Sequence, residues 1–375
     1  MKLSMTPLLL LLMCGSLQAQ ELARVRQNDL WGYIDHSGNQ VIKPQFEKCG
    51  DFTNGTAAVL RGDLWGFVDG TGNWSIQPRY KRVKGFDSGY AMVLDGDTWK
   101  YVDKADKTLP VPPAEKYYDF QEGVALYKTG DKVGMLGTDG KPIIEPTYQE
   151  IKDFHNGQAK FEQNGKWGML DKQGKVTIPA EYDKLSSYDP KGMVATRGET
   201  NGLLVKGEFK PLPGVDKIWE FHDGSDLTYA MKGDSWGFIN TKGEWVIQPQ
   251  WKKVRAFNKG LAPVSSGDLW GYINMEGKLV IPFNYADAEV FGDNGLAPVK
   301  VNKLWGFINT SGVMVLPAEY VISVGATLNF KSMLADKGFI DGVARVRKGK
   351  DWGYINEKGE PIGGHWYQNA EVFSK

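Results

Sequence analysis

Cysteine is almost missing from this 375-residue chain, which holds only Cys14 and Cys49. Cys14 falls inside an N-terminal leader, so Cys49 alone is expected in the mature chain and no intramolecular disulfide can form. Histidine is nearly as scarce, with His36, His155, His222 and His365 as the full set. No His-x-x-x-His or Cys-x-x-Cys spacing occurs, so no metal site is expected. Net charge is missing too: 45 Lys and Arg balance 45 Asp and Glu. A nucleic-acid partner would need a basic face, and an anionic membrane would need a basic cluster. The chain also lacks a Gly-x-Ser-x-Gly elbow and a glycine-rich phosphate loop, so no catalytic residue and no cofactor are expected.

The one long apolar run lies at the start. Lys2 precedes the unbroken run Leu8 to Met13, and small and polar residues follow in Gly15-Ser16-Leu17-Gln18-Ala19-Gln20. Residues 1–19 therefore read as a secretory signal cut after Ala19, too short in its apolar part to span a bilayer. A lipid-modified N-terminus at Cys14 is the alternative. Residues 20–375 are then exported, to the periplasm or beyond the cell. No transmembrane segment is expected.

What the chain has in quantity is glycine (46) and tryptophan (13), and both recur at a fixed interval. Trp-Gly occurs at Trp31, Trp65, Trp167, Trp236, Trp270, Trp305 and Trp352, and worn copies lie at Trp99-Lys100, Val133-Gly134 and Asn201-Gly202. Counted from 31, the steps are 34, 34, 34, 34, 34, 35, 34, 35 and 47, which makes ten units. Beyond the dipeptide, the units share an Asn/Asp-x-x-Gly turn, a Val-Ile-x-Pro segment and a Gly-x-Ala-x-Val run. Trp236 to Trp251 and Trp31 to Phe46 are two well-preserved copies.

This combination resembles the WG (KWG) β-repeat family over essentially all of residues 21–375. The resemblance implies a bacterial β-repeat protein, often exported, and implies little about activity. The lost tryptophans at Val133 and Asn201 and the lost glycine at Lys100 are departures from the pattern.

Within one unit the residues read as three strands: the Ala-x-Val run, the Trp-Gly run and the Val-Ile run, all β-branched and aromatic. Gly62-Asp63 and its equivalents fit primed hairpin turns. Asn240 to Gly243 and its equivalents fit an Asx-started turn ending in a glycine of positive φ. Proline at 44, 78 and 249 marks the third run as a sheet edge. In Trp65-Gly66-Phe67-Val68, Trp and Phe share one face and Val takes the other, as in a strand packed on both sides. Gly66 reads as a point where a neighbouring unit or ring comes close.

The expected fold is all-β: ten three-stranded antiparallel meanders of about 34 residues, stacked as an open superhelical array. A closed propeller-like toroid, or two of five units, is the alternative. Openness is favoured because the chain starts on an Ala-x-Val strand (Leu22 to Arg26) and ends in the same phase at Tyr367 and Phe373.

Function is expected to be non-catalytic binding of a protein partner on the repeat frame. A carbohydrate-binding or cell-wall-binding module is the alternative, and an enzyme with a loop-borne carboxylate pair is a third reading. The Trp-Gly tryptophans read as structural and Cys49 as an inert core residue. Candidate partner contacts are Trp74 and Trp245, which share one repeat position. Leu328, Phe330 and Met333 join them from an insertion at about residues 321–338.

Overall fold

A computed structural model describes residues 21–322 and 337–374 of the chain. The signal-peptide reading, Cys14 and the insertion residues Leu328, Phe330 and Met333 fall outside the described residues.

Blade 2 shows how the sequence builds a unit. Its four strands are Lys48–Thr53, Thr56–Arg61, Leu64–Asp69 and Trp74–Tyr80, hydrogen-bonded in that order and all antiparallel. The repeat is thus four-stranded in eight of the ten sheets and three-stranded in the other two. The extra first strand carries Cys49, which pairs with Val59 of the second. In most blades this strand is only two residues long, as in Lys253–Val254 and Asp287–Ala288. Two residues show no alternation of apolar and polar side chains, so periodicity had nothing to detect.

The hairpin between second and third strands turns at Gly62, where φ is +61°. That between third and fourth turns on Asp69. Its Oδ1 accepts from the amides of Thr71 and Asn73 at 2.9 and 3.0 Å, and Gly72 takes φ +87°. The third strand is buried on both faces. Val68 packs back on Tyr33, Ile42 and Phe46 of blade 1. Phe67 packs forward on Phe86 and Val93 of blade 3.

The glycine of the dipeptide serves its own blade. Trp65 pairs with Tyr80 and Phe67 with Ile76, so the third strand advances two residues while the fourth advances four. The fourth strand bulges over Gly66. A Cβ there would lie 2.5 Å from the Ile76 oxygen and 2.7 Å from the Pro78 nitrogen. The close approach expected at Gly66 is therefore to the adjacent strand, not to a neighbouring unit. In blade 3 the glycine is replaced by Lys100, and that sheet has only three strands.

Ten such sheets follow one another along the chain. At each seam an aromatic ring two residues past the dipeptide tryptophan commonly meets a loop aromatic of the next blade. Tyr33–Phe52, Phe67–Phe86, Tyr272–Phe291 and Phe307–Phe339 do so at centroid separations of 4.8, 4.9, 5.0 and 4.9 Å.

The same contact occurs between Tyr354 of blade 10 and Phe373 at 5.0 Å. Asn369–Ala370 is the first strand of blade 1, paired with Ala23–Gln27. Leu22 and Ser374 exchange backbone hydrogen bonds of 2.8 and 3.0 Å. The architecture is a closed ten-bladed propeller, and the open superhelical array is overturned. The shared phase of the two ends accompanies closure here, because each unit begins one strand earlier than its sequence pattern shows. With four strands per blade, a start on strand two and an end on strand one is one blade split between the two ends.

Candidate binding cavities between the blades

The dipeptide tryptophan opens the third strand and turns toward the following blade, on the face of Phe67 or its equivalent. Most of these indoles are half-buried, while Trp270 and Trp305 are fully buried. A cation commonly covers the ring. Arg24 stands 5.4 Å from the Trp31 centroid, Arg255 4.6 Å from Trp270 and Arg345 3.9 Å from Trp352. At Trp167 the cations are Lys152 and Lys160, at 5.5 and 5.8 Å. Guanidinium and ammonium groups are attracted to the negative face of an indole, so each pair shields the rim of a seam.

Two blades lack this indole, and a cavity stands at each. Between blades 4 and 5 lies a space of about 710 Å³ lined by Tyr118, Leu126, Val133, Ile151, Lys160 and Tyr188. Tyr118, Leu126 and Val133 stand one 34-residue repeat before Lys152, Lys160 and Trp167. They are the counterparts of the next seam's tryptophan and its two cations. Between blades 6 and 7 a cavity of about 450 Å³ is lined by Leu185, Val194, Asn201, Ile218 and Trp219. Asn201 replaces its indole and uses its amide instead, donating to the oxygens of Val215 and Asp216 at 3.1 Å each. A third cavity, about 480 Å³ between blades 3 and 4, has the retained Trp99 in its wall together with Tyr117 and Tyr118. All three lie in blades 3 to 7.

Charge in this arc is mixed. Burial pulls the Lys160 ammonium below the usual lysine range, and its Nζ donates to the Leu185 oxygen at 2.9 Å. Burial raises Asp119 above the ordinary carboxylate range despite Lys84 at 3.4 Å, and the nearby Asp153 and Asp87 carboxylates add to the shift. Lys152 is paired with Glu150 at the cavity between blades 4 and 5. Trp219 is 51% exposed, stacks on Tyr229 at 5.7 Å and meets Trp236 edge-on at 6.3 Å.

The residues singled out from sequence are scattered by comparison. Trp74 packs on the preceding blade, edge-on to Phe46 at 6.3 Å, with Arg61 5.5 Å from its ring. Trp245 joins the cluster of Leu203 and Leu212, also on the blade before it. The fold does not bring these two together. Cys49 is buried, and burial pushes its thiol up to about 11. His36 stacks on Phe373 at 3.8 Å, and its Nε2 is 3.1 Å from Glu21. His155 lies at the cavity between blades 4 and 5. Tyr118, Leu126, Tyr188 and Trp219 were missed as candidates. The signal that could have found them was the loss of tryptophan at 133 and 201, which reads as wear in sequence and as missing volume in three dimensions.

Among known proteins, the family described as “WG containing repeat” matches residues 31–65, 65–99, 134–167, 167–197, 236–270, 270–305 and 305–321. The internal gaps, 100–133 and 198–235, take in worn positions of the dipeptide: Lys100 and Val133 in the first, Asn201 in the second. The sequence matches none of the curated proteins. Several solved structures are similar in outline. One is a eukaryotic initiation factor, at 13% identity over 94% of this chain and 97% of that one, with a TM-score of 0.49. Another is PorZ, a surface component of the type-IX secretion system of Porphyromonas gingivalis, at 10% over 94% and 58%, TM-score 0.25. A third is YCF48 bound to D1 peptide, at 9% over 56% and 87%, TM-score 0.28. With seven matches spread over more than half of its length, the chain belongs to the WG-repeat family.

Proposed function

We propose that this protein is an exported, non-catalytic ring scaffold that binds a protein partner, and that blades 3 to 7 carry the binding site. The observation that supports this most is the cavity of about 710 Å³ between blades 4 and 5. It lies where the repeat normally supplies its own filling side chain. A frame with unfilled seams in this arc suits recognition of a side chain from elsewhere. The non-catalytic part rests on a sequence without any motif that carries a mechanism. The exported part rests on the leader at residues 1–19.

Affinity capture tests the reading. Immobilised residues 20–375 are exposed to envelope extract of the source organism, with and without glycan digestion. Retention of a specific protein after digestion is the expected result. Loss of all retained protein on digestion would transfer the reading to carbohydrate binding. The exposed stack of Trp219 on Tyr229 favours that second reading, because a flat, accessible aromatic pair can seat a sugar ring. In that case Trp219→Ala abolishes retention, whereas Trp74→Ala does not.

A further inference from the structure

The cavity between blades 4 and 5 has a shape history written in the repeat. One seam further on, the position of Val133 is Trp167, packed beside Leu185 and Met169 with Lys152 and Lys160 near its ring. In the cavity the corresponding residues are Val133, Ile151, Tyr118 and Leu126. Val133 is only 5% exposed and Leu126 only 8%, so they form a deep apolar base. Tyr118 takes the place of Lys152 above that base, and Lys160 stands in the same lining. The indole of the repeat is replaced here by a smaller side chain, and a cavity of about 710 Å³ stands beside it. A hydrophobic floor, an aromatic wall and the Lys160 ammonium in the lining favour a flat π-system over an aliphatic group.

We infer that the seam between blades 4 and 5 is a socket for an aromatic side chain, tryptophan above all, supplied by a segment of the partner protein. The incoming ring takes the position that the chain's own indole takes at Trp167. The neighbouring cavity at Asn201 is a different site, because its amide already closes the seam through Val215 and Asp216. This inference rests on the scaffold reading above and specifies the chemistry of its site.

The test uses N-acetyl-tryptophanamide as probe, titrated into residues 20–375 and followed by calorimetry and by shifts of isoleucine and leucine methyl signals. Saturable binding with shifts centred on Ile151 and Leu126 is expected. N-acetyl-leucinamide is expected to bind at least about tenfold more weakly, the difference that an aromatic-specific contact supplies. Val133→Trp fills the socket from within and should abolish probe binding while raising the melting temperature. If that ring is too large for the seam as it stands, Val133→Trp with Leu126→Lys reproduces the Trp167–Lys160 pair and keeps the test open.

Failure of the wild-type protein to bind the probe, or equal binding by either filled variant, overturns the socket. Envelope capture with the same proteins separates the two readings. A partner retained equally by wild type and by the filled variants overturns the socket and leaves the scaffold standing. Capture of no protein by wild type overturns the scaffold.

Discussion

A methyl group placed on Gly66 would sit 2.5 Å from the Ile76 carbonyl oxygen, and the same clash with the fourth strand recurs at Gly32, Gly237, Gly271 and Gly306. The partner atoms are backbone, so they cannot swing aside. Gly237→Ala is expected to lower unfolding stability by about 1–3 kcal/mol, the range for an overpacked interior site. Gly62→Ala meets no atom and costs only the strain of its +61° φ. Urea titration of the two variants checks the order.

The turn aspartates give a pH effect of known sign. Slight burial acts to raise Asp35 and Asp69, but hydrogen bonds from Asn39 and Ser37 in one turn, and from Thr71 and Asn73 in the other, hold both below the ordinary carboxylate range. A folded-state value below the unfolded one stabilises above the unfolded pKa. That contribution disappears as pH falls through the folded value. Asn240, Asn274, Asn309 and Asn356 accept the same backbone bonds without a charge. The pair Asp35→Asn with Asp69→Asn should therefore match wild type at pH 7 and lose less stability on acidification toward pH 3. Denaturant midpoints across that window test it.

At the level of strands and blades, the third strand was fully legible in sequence. Trp65, Phe67 and Val68 announce a strand buried on both faces, and Val68 and Phe67 do pack on opposite neighbours. Turns were legible for the same local reason: Gly62 and the Asp69–Gly72 loop carry their geometry in residues next to each other. The two-residue first strand was not, because Lys253–Val254 is defined by a partner in another part of the unit, Ser265 and Val264, rather than by its own pattern. Without that strand the blade boundary falls one strand late, and two ends in the same phase look like an open array. The cavities were hidden for a related reason. Val133 and Asn201 show only what was lost, and the volume left behind depends on Tyr118, Leu126 and Trp219 from other strands.

Asn201 illustrates a repair at this scale. Its amide joins the third strand of blade 6 to the segment entering blade 7, and Thr196 Oγ1 donates to its Oδ1 at 3.0 Å. Asn201→Ala should cost about 1–2 kcal/mol, as expected when bonded carbonyls lose a donor. It should also speed amide exchange in Lys217–Ile218 more than in the equivalent Lys253–Val254. Exchange mass spectrometry reads both.

Across the whole molecule, the seam that closes the ring holds the most buried ion pair among the described residues. Arg345 and Glu371 have side chains only 9% and 5% exposed and lie 3.8 Å apart. Arg345 Nε also donates to the Ala370 oxygen at 2.5 Å. One blade on, Arg24 bonds Asp51 at 2.7 Å and the Cys49 oxygen at 2.9 Å. Tyr354 donates to the Glu371 carbonyl from a fully buried position, and burial raises its phenol far above the ordinary range. Removing one member of a buried ion pair leaves the other charge uncompensated. Glu371→Ala is expected to cost about 3–5 kcal/mol on that basis. Small-angle scattering should show the variant opening before it unfolds.

Closure has a consequence in time as well as in space. Leu22 is bonded to a residue 352 positions away, whereas most other seams join neighbours about 34 positions apart. Blades 2 to 10 can each assemble as soon as their own residues are free. The strand Ala23–Gln27 must wait with one edge unpaired until Asn369–Ala370 arrives. During that interval the nascent protein is a curved strip with an adhesive strand at its leading end, open to pairing with a second nascent chain. A protein built this way should need a holding factor during synthesis, and its characteristic failed product should be a head-to-tail dimer in which two strips close on each other.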